Sequence, residues 1–157
     1  MNFDEAIEHV LSSEGGYVNN PNDSGGETKY GISKRSYPKL DIKNLTRAQA
    51  KAIYRTDFWD KVKADQLASA VRFHVFDFAV NAGVSTAIKT LQFAAGSKKD
   101  GVLGPNTIKG SQRVSARDFG VARIRHYTAL ARDRPKDRVF LDGWLIRTLD
   151  VTLLSTK

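Results

Sequence analysis

The sequence predicts a mainly α protein (α+β class) with a small N-terminal hairpin region and a larger helical lobe. Apolar residues recur at helical spacing through most of the 157-residue chain. The exception is a glycine- and asparagine-rich stretch near the N-terminus, whose short alternating segments are typical of a hairpin. The length suits one compact domain or a pair of packed lobes, and the 41% hydrophobic content is enough for a core.

The chain opens with an amphipathic helix, because apolar residues recur on one side of it: Phe3, Ala6, Ile7, Val10 and Leu11. Gly15 and Gly16 follow Glu14, so we expect the helix to end near Glu14. The glycine- and asparagine-rich sequence then runs to Gly31. Its segments YVN and TKYGI are expected to form a small hairpin.

From Ser33 onward the pattern is helical. Thr46 and Gln49 have the spacing of a capping box and open a helix. Residues 65–82 carry a broad apolar stripe, which predicts a buried central helix with His74 on its apolar face.

Further helices follow in the C-terminal half. Residues 85–96 predict a short helix with a Ser85 cap and a Gly96 stop. The segment DGVLGPNT joins Asp-Gly and Gly-Pro turn signals to a capping residue for another short helix. Residues 115–132 predict a long helix, Pro135 interrupts the chain, and the segment VFLDGWLIRTL predicts the last helix.

Composition excludes several classes of function. The chain has no cysteine, which excludes disulfides, thiol catalysis and thiolate metal sites. An apolar run of about 18 residues is also absent, so no membrane span is predicted. The three histidines are widely spaced, and Gly31 stands where a calcium loop needs a bidentate glutamate. We therefore expect no metal and no other cofactor.

The formal net charge is +8. Such a charge draws a protein toward polyanions, whether nucleic acid, anionic lipid or bacterial cell wall. It is equally typical of a solubilising surface, so charge alone does not identify the partner.

Three polar side chains in and beside the glycine-rich stretch suit acid–base chemistry. Glycosidic bonds are cut by two carboxyl groups, one protonated and one ionised. Glu14, at a helix end partly against apolar neighbours, suits the acid; Asp23, in a polar loop, suits the ionised partner. Thr28 offers a hydroxyl that helps to hold a water. A glutamate at a helix end and an aspartate in a turn are also commonplace, so from residue types alone an ordinary connection is the simpler interpretation.

The segment SEGGYVNNPNDSGGETKYGIS resembles the opening motif of glycoside hydrolase family 108, the phage-type N-acetylmuramidases. The resemblance implies that Glu14 is the catalytic acid. Eight residues separate Glu14 from Asp23, as in the wider phage-lysozyme group. Only four separate Asp23 from Thr28, one fewer than in that group, so the sequence departs from the group's spacing at Thr28.

The resemblance extends along most of the chain. The segment AIYRTDFWDKV is similar to the family's aromatic helix, FLDGWLIR to its C-terminal signature, and FDFAVNAGVSTAIKTLQFAAGSKKDGVLGPNTI to a module described as peptidoglycan-binding. The resemblance implies a lysozyme-like fold, with a catalytic lobe at 1–65 and a helical lobe at 66–157. We expect the two lobes to pack as one globular unit.

Several residues outside the acidic pair are candidates for substrate binding. Tyr30 follows Thr28 closely, and Asp77 and Asn81 lie one helical turn apart. Those two are equally suited to satisfying buried backbone groups. An arginine near the C-terminus, taken to be Arg147, is a weaker candidate for pairing with Glu14, as similar enzymes allow. Trp59 and Trp144 are expected in the core or between lobes; sugar stacking by Trp59 is the minor alternative.

The resemblance implies an endolysin that hydrolyses the β-1,4 bond between N-acetylmuramic acid and N-acetylglucosamine in peptidoglycan, with inversion. The alternatives are a lytic transglycosylase and a non-catalytic wall-binding module. The N-terminus lacks the basic and apolar regions of a secretory signal. We therefore expect the protein to remain in the host cytoplasm until a holin pore opens, and then to act on periplasmic peptidoglycan. We expect a monomer that neither binds nucleic acid nor inserts stably into a membrane.

Overall fold

The computed structural model describes residues 1–157. The chain divides into two compact units, Asn2–Asp57 and Phe58–Lys157, the second also including Met1. Seven α-helices and one three-stranded antiparallel sheet form these units, so the predicted mainly α class is confirmed. None of the helices is both long and apolar enough to cross a membrane. The catalytic and wall-binding roles assigned to 1–65 and 66–157 stay predictions.

The first unit begins with α1, Phe3–Ser13. Asn2 caps it, since its side chain accepts from the Glu5 amide while the Glu5 carboxylate accepts from the Asn2 amide. The apolar face of α1 is buried as the helical spacing predicts, and Glu14 is the residue that caps its C-terminus. The predicted end of the helix is therefore confirmed.

The predicted hairpin region is a sheet with the strand order β1–β2–β3. The strands are β1, Val18–Asn19; β2, Glu27–Lys29; and β3, Ile32–Ser33. Lys29 pairs with Ile32, which leaves Tyr30 and Gly31 as a two-residue turn. Both have positive φ, 52° and 77°, and this combination defines a type I′ turn, whose twist matches that of antiparallel strands.

The helix after the sheet is α2, Arg47–Tyr54. Thr46 and Gln49 form the predicted capping box through their reciprocal bonds. The helical pattern read from Ser33 onward is wrong for residues 34–45, which are turns and irregular chain. Local side-chain bonds, such as the Asp41 carboxylate accepting from the Asn44 amide, compete with helix formation there. A π-helical turn, Arg55–Trp59, follows α2.

The second unit packs its helices around α3. Its elements are a 3-10 turn, Ala64–Gln66; α3, Ser69–Ala82; α4, Val84–Ala94; α5, Pro105–Ser111; α6, Ala116–Asp133; a 3-10 segment, Pro135–Phe140; and α7, Leu141–Ser155. Helices α4, α6 and α7 all pack on α3. Residues on every side of α3 are buried, so the prediction of a buried central helix is confirmed. Trp59, predicted as a core residue, is fully buried in edge contact with Phe76.

The central helix starts later than predicted, at Ser69 instead of residue 65. Leu67 has an extended backbone, which ends the preceding 3-10 turn. Arg72 stabilises this break, because its guanidinium donates to the carbonyls of Ala64 and Leu67 at 2.8 and 3.1 Å. Such bonds satisfy backbone groups that a continuous helix would have paired internally.

The predicted Ser85 cap of α4 is wrong. Gly83 ends α3 and begins α4 in one residue with φ of 97°, a conformation open mainly to glycine. Helix α5 likewise begins after Gly104, with Pro105 in its first turn. The stop at Gly96 is confirmed, since α4 ends at Ala94.

His74 is buried on α3, as predicted, in a defined hydrogen-bond network. Thr152 donates its hydroxyl hydrogen to the Thr148 carbonyl, so it accepts from His74 Nε2 at 2.9 Å. The neutral tautomer with hydrogen on Nε2 leaves Nδ1 free to accept from Arg123, 3.5 Å away. Burial, reinforced by the Arg123 charge, lowers the pKa of His74 to about 3.

This network predicts a loss of stability in mild acid. Unfolded histidine takes up a proton near pH 6.5, whereas folded His74 stays neutral down to about pH 3. Unfolding therefore consumes one proton in this window, and the unfolding free energy falls by about 1.4 kcal/mol per pH unit as the pH decreases. Denaturant unfolding between pH 6 and 4.5 measures the slope. His74→Gln should lower this slope by about 1.4 kcal/mol per pH unit. Equal slopes for parent and variant would contradict a neutral, buried His74.

Candidate functional site

Glu14 lies against the turn of the β2–β3 hairpin. It is half-buried, and its backbone amide donates to the Leu11 carbonyl at the end of α1. A Cβ atom built on Gly31 would lie 2.9 Å from the Glu14 carboxyl carbon. Side chains do not approach that closely, so the carboxyl group occupies space that only a glycine leaves open.

Tyr54 fixes the same turn from α2. Its buried side chain donates a hydrogen bond of 2.7 Å from the hydroxyl to the Tyr30 carbonyl. A Cβ atom on Gly31 would also lie 2.5 Å from that hydroxyl oxygen. Helix α1, the hairpin turn and α2 therefore meet at the Gly31 backbone. No local sequence signal marks Tyr54, because its partner, Tyr30, lies 24 residues away in the chain.

Asp23 lies in an ordered turn and is exposed. One of its carboxylate oxygens accepts from the Gly25 amide at 2.9 Å, and its backbone carbonyl accepts from the Gly26 amide. The Gly25 carbonyl in turn accepts from the Arg35 amide, just past β3. These bonds connect the Asp23 turn to the end of the hairpin opposite Gly31.

Thr28 is the middle residue of β2, in register with Val18 and Ser33. Thr28 lies between the hairpin turn, where Glu14 contacts Gly31, and the opposite end of the hairpin, where Gly25 of the Asp23 turn bonds to Arg35. Of the three predicted catalytic residues, Thr28 therefore lies in the hairpin, Glu14 contacts its turn, and the Asp23 turn is bonded to the chain just past β3; Tyr30 is one of the two turn residues.

Asp77 and Asn81 belong to the second unit. Asp77 is buried between two arginines, with Arg123 at 2.7 Å and Arg147 at 2.8 Å. Burial alone would raise the pKa of Asp77, but the two guanidinium groups outweigh it and keep the pKa below its ordinary value. Asn81 is exposed and accepts a hydrogen bond from the Tyr127 hydroxyl.

Both predicted residues on α3 therefore bind side chains rather than the backbone groups considered as their alternative partners. Arg147 donates to the Asp77 carboxylate from Nε and from one terminal nitrogen, in three hydrogen bonds. Its predicted pairing with Glu14 would join the two units and stays a prediction. Trp144 is half-buried and stacks on Tyr127, with ring centroids 4.8 Å apart.

The donor set of the molecule does not suit a metal centre. No group of three or more histidine, aspartate or glutamate side chains is arranged to hold an ion. The chemistry available at the hairpin is that of two carboxyl groups and a hydroxyl, which suits proton transfer to and from a bound substrate and water.

Comparisons with known proteins agree with this arrangement. The sequence model of the family described as glycosyl hydrolase 108 matches residues 7–83, which include the C-terminal part of α1, the sheet, α2 and α3. The solved structure of Brucella abortus SagA is similar to this chain, with a TM-score of 0.83 and 32% sequence identity between the two. The match covers 98% of this chain and 93% of the SagA chain. This similarity confirms the predicted lysozyme-like fold class. No curated protein sequence matches the chain significantly.

The Gly31 contact predicts a stability difference between two glycines of the same unit. Gly31 and Gly26 have similar positive φ, 77° and 69°, so alanine at either position costs about 1–2 kcal/mol in backbone strain. At Gly26 the added Cβ would meet only Lys34, at 3.9 Å, whereas at Gly31 it would overlap Tyr54 and Glu14. Gly31→Ala should therefore lower the unfolding free energy by a further 1–3 kcal/mol or so in urea unfolding. Equal losses for both variants would contradict the close packing.

Proposed function

Because this chain belongs to glycosyl hydrolase family 108, we propose that it is an N-acetylmuramidase cutting the β-1,4 bond between N-acetylmuramic acid and N-acetylglucosamine. Family membership supports a peptidoglycan-hydrolysing, muramidase-like function. The observation that carries the specific proposal is the hairpin, with Glu14 packed against its turn and the Asp23 turn bonded to its other end.

In the proposed reaction Glu14 is the general acid. It donates its proton to the glycosidic oxygen as the bond from that oxygen to the anomeric carbon breaks. Its close packing against Gly31 supports this role, because the packing restricts the rotamers of the carboxyl group, and a fixed donor transfers a proton more efficiently than a mobile one.

Asp23 is the proposed general base. It removes a proton from a water molecule, whose oxygen attacks the anomeric carbon from the face opposite the leaving group, and the Thr28 hydroxyl helps to hold that water. The carboxyl groups of inverting enzymes are about 6.5–9.5 Å apart, against about 5 Å in retaining ones. The proposed inversion therefore requires the wider spacing between the Glu14 and Asp23 carboxyl groups.

The biological role that we propose is host lysis by a phage endolysin. The protein would reach periplasmic peptidoglycan from the host cytoplasm after a holin-type membrane lesion. The net charge of +8 supports attraction to the anionic wall polymer. Tyr30, Asp77 and Asn81 are the proposed substrate-binding residues, with Asp77 acting through Arg147, the more exposed of the two arginines that it binds.

The acid assignment predicts a large and specific loss of activity. Glu14→Gln removes the transferable proton and should slow the release of soluble fragments from purified peptidoglycan by about 100- to 10,000-fold. Asp4→Asn is a matched control, since it removes an exposed carboxylate from the same helix and should leave the rate unchanged. Unchanged hydrolysis by Glu14→Gln would refute the assignment.

The base assignment predicts the products. Hydrolysis with inversion gives fragments with a reducing N-acetylmuramic acid, initially as the α anomer. Mass spectrometry of the fragments identifies the reducing end. NMR of the anomeric protons, recorded before the anomers equilibrate, identifies the initial anomer. We expect Asp23→Asn to lose activity while keeping the parent's unfolding midpoint. A 1,6-anhydro product would indicate a transglycosylase, and an initial β anomer would indicate retention.

A further inference from the structure

The second unit contains a pocket of about 570 Å³ between the end of α4 and α5. Lys98, Lys109 and Arg113 lie around it, together with Ser97 and Asn106. We propose that this pocket binds a carboxylate group of the peptide stems of peptidoglycan. The identity of the polymer rests on the proposed function, and the carboxylate chemistry rests on the contacts of the pocket residues.

The pocket lining carries three basic residues against one carboxylate, Asp100, whose charge partly offsets that of Lys98. All three basic residues are exposed, and none pairs with a carboxylate at salt-bridge distance. Asp100 is the acidic residue in the lining, and one of its oxygens accepts from Gln92 and from the Val102 amide, both at 2.9 Å. Its carboxylate therefore holds the loop in place, while the basic groups remain available to an anion.

The pocket wall is built before any ligand binds. Gln92 is buried, and its amide nitrogen contacts Asp100, the Val102 carbonyl and the Thr107 hydroxyl at 2.9 to 3.1 Å. Its carbonyl oxygen accepts from the Gly101 amide at 2.9 Å. One buried side chain of α4 thus holds the loop at residues 100–102 and joins it to Thr107 of α5. A fixed rim reduces the ordering entropy that binding would otherwise cost.

Arg113 is positioned for an oxyanion. One terminal nitrogen donates to the Ala95 carbonyl at 3.2 Å, which holds the guanidinium in place. A Cβ atom on Gly110 would lie 3.3 Å from the Ser97 hydroxyl and 3.7 Å from the same Arg113 nitrogen. The Ser97 hydroxyl and the Arg113 guanidinium therefore lie close together beside Gly110. A serine hydroxyl beside a guanidinium fork is a donor set that suits a carboxylate.

The shape of the site favours a peptide carboxylate over a nucleic acid. The basic groups surround one concave pocket, whereas nucleic-acid sites follow a backbone with a long basic groove and stacking aromatics. Peptide stems extend from the lactyl groups of muramic acid and carry carboxylates at regular intervals along each glycan strand. Binding them would hold the second unit on the polymer that the first unit is proposed to cut.

A binding experiment tests this assignment with two matched double variants. Lys109→Gln/Arg113→Gln removes two pocket charges, and Arg134→Gln/Lys136→Gln removes two exposed charges elsewhere in the same unit, so both lower the net charge from +8 to +6. Co-sedimentation with Gram-negative sacculi in the cold, in the Glu14→Gln background, measures affinity without digestion. Thermal unfolding checks that both variants remain folded.

We expect the pocket variant to bind about tenfold more weakly than the control variant, as losing one charge-assisted contact would do. Sacculi whose carboxylates are amidated, or whose stems an amidase has removed, should abolish this difference. Equal binding by the two variants, or a difference that persists on amidated sacculi, would overturn the proposal. So would displacement by inorganic phosphate but not by free stem peptide. These binding measurements need no catalytic turnover. The pocket proposal can therefore fail while the Glu14 assignment stands, and the Glu14 assignment can fail while the pocket proposal stands.

Discussion

The arrangement of the first unit depends on one close approach, that of Glu14 and Tyr54 to the backbone of Gly31. Three elements meet at this glycine: the end of α1, the hairpin turn and the end of α2. Any side chain there would push the acid away from the turn or the turn away from α2. The type I′ conformation that suits the hairpin also requires positive φ, so sheet geometry and site geometry demand the same residue.

The second unit depends on a different constraint, the burial of charge. Arg123 is fully buried and Asp77 nearly so, and each would be costly without the other. His74 remains neutral beside them because burial and the arginine charge both oppose its protonation. Gly120 allows this network to form, since a Cβ atom there would come within 2.6 Å of the Thr152 hydroxyl. The core helix α3 thus carries polar groups whose partners come from α6 and α7.

The sequence predicted what local interactions decide. The capping box at Thr46, the stop after Glu14 and the hairpin all follow from neighbours within a few residues, and all three are confirmed. The start of α3 was missed because Arg72 reaches back to carbonyls that a periodic pattern does not register. The packing of Tyr54 on the hairpin turn was also missed, since the two lie 24 residues apart and no local signal links them. Asp77 was selected as a polar residue on a buried helix, but its two arginine partners could not be identified from spacing.

The two proposed sites use the same physical device at different places. In each, a polar loop is fixed by bonds within the protein. At the hairpin, Gly31 also leaves room for the Glu14 carboxyl group, whereas at the pocket a Cβ atom on Gly110 would meet Arg113 at an ordinary contact distance of 3.7 Å. Both loops are rich in residues that favour turns, and alone they would be costly to order. Tyr54 and Gln92, each buried and each bonded to its loop, supply that order during folding. The glycine-rich sequences are therefore compatible with rigid sites, because their freedom is removed by buried side chains that lie outside them.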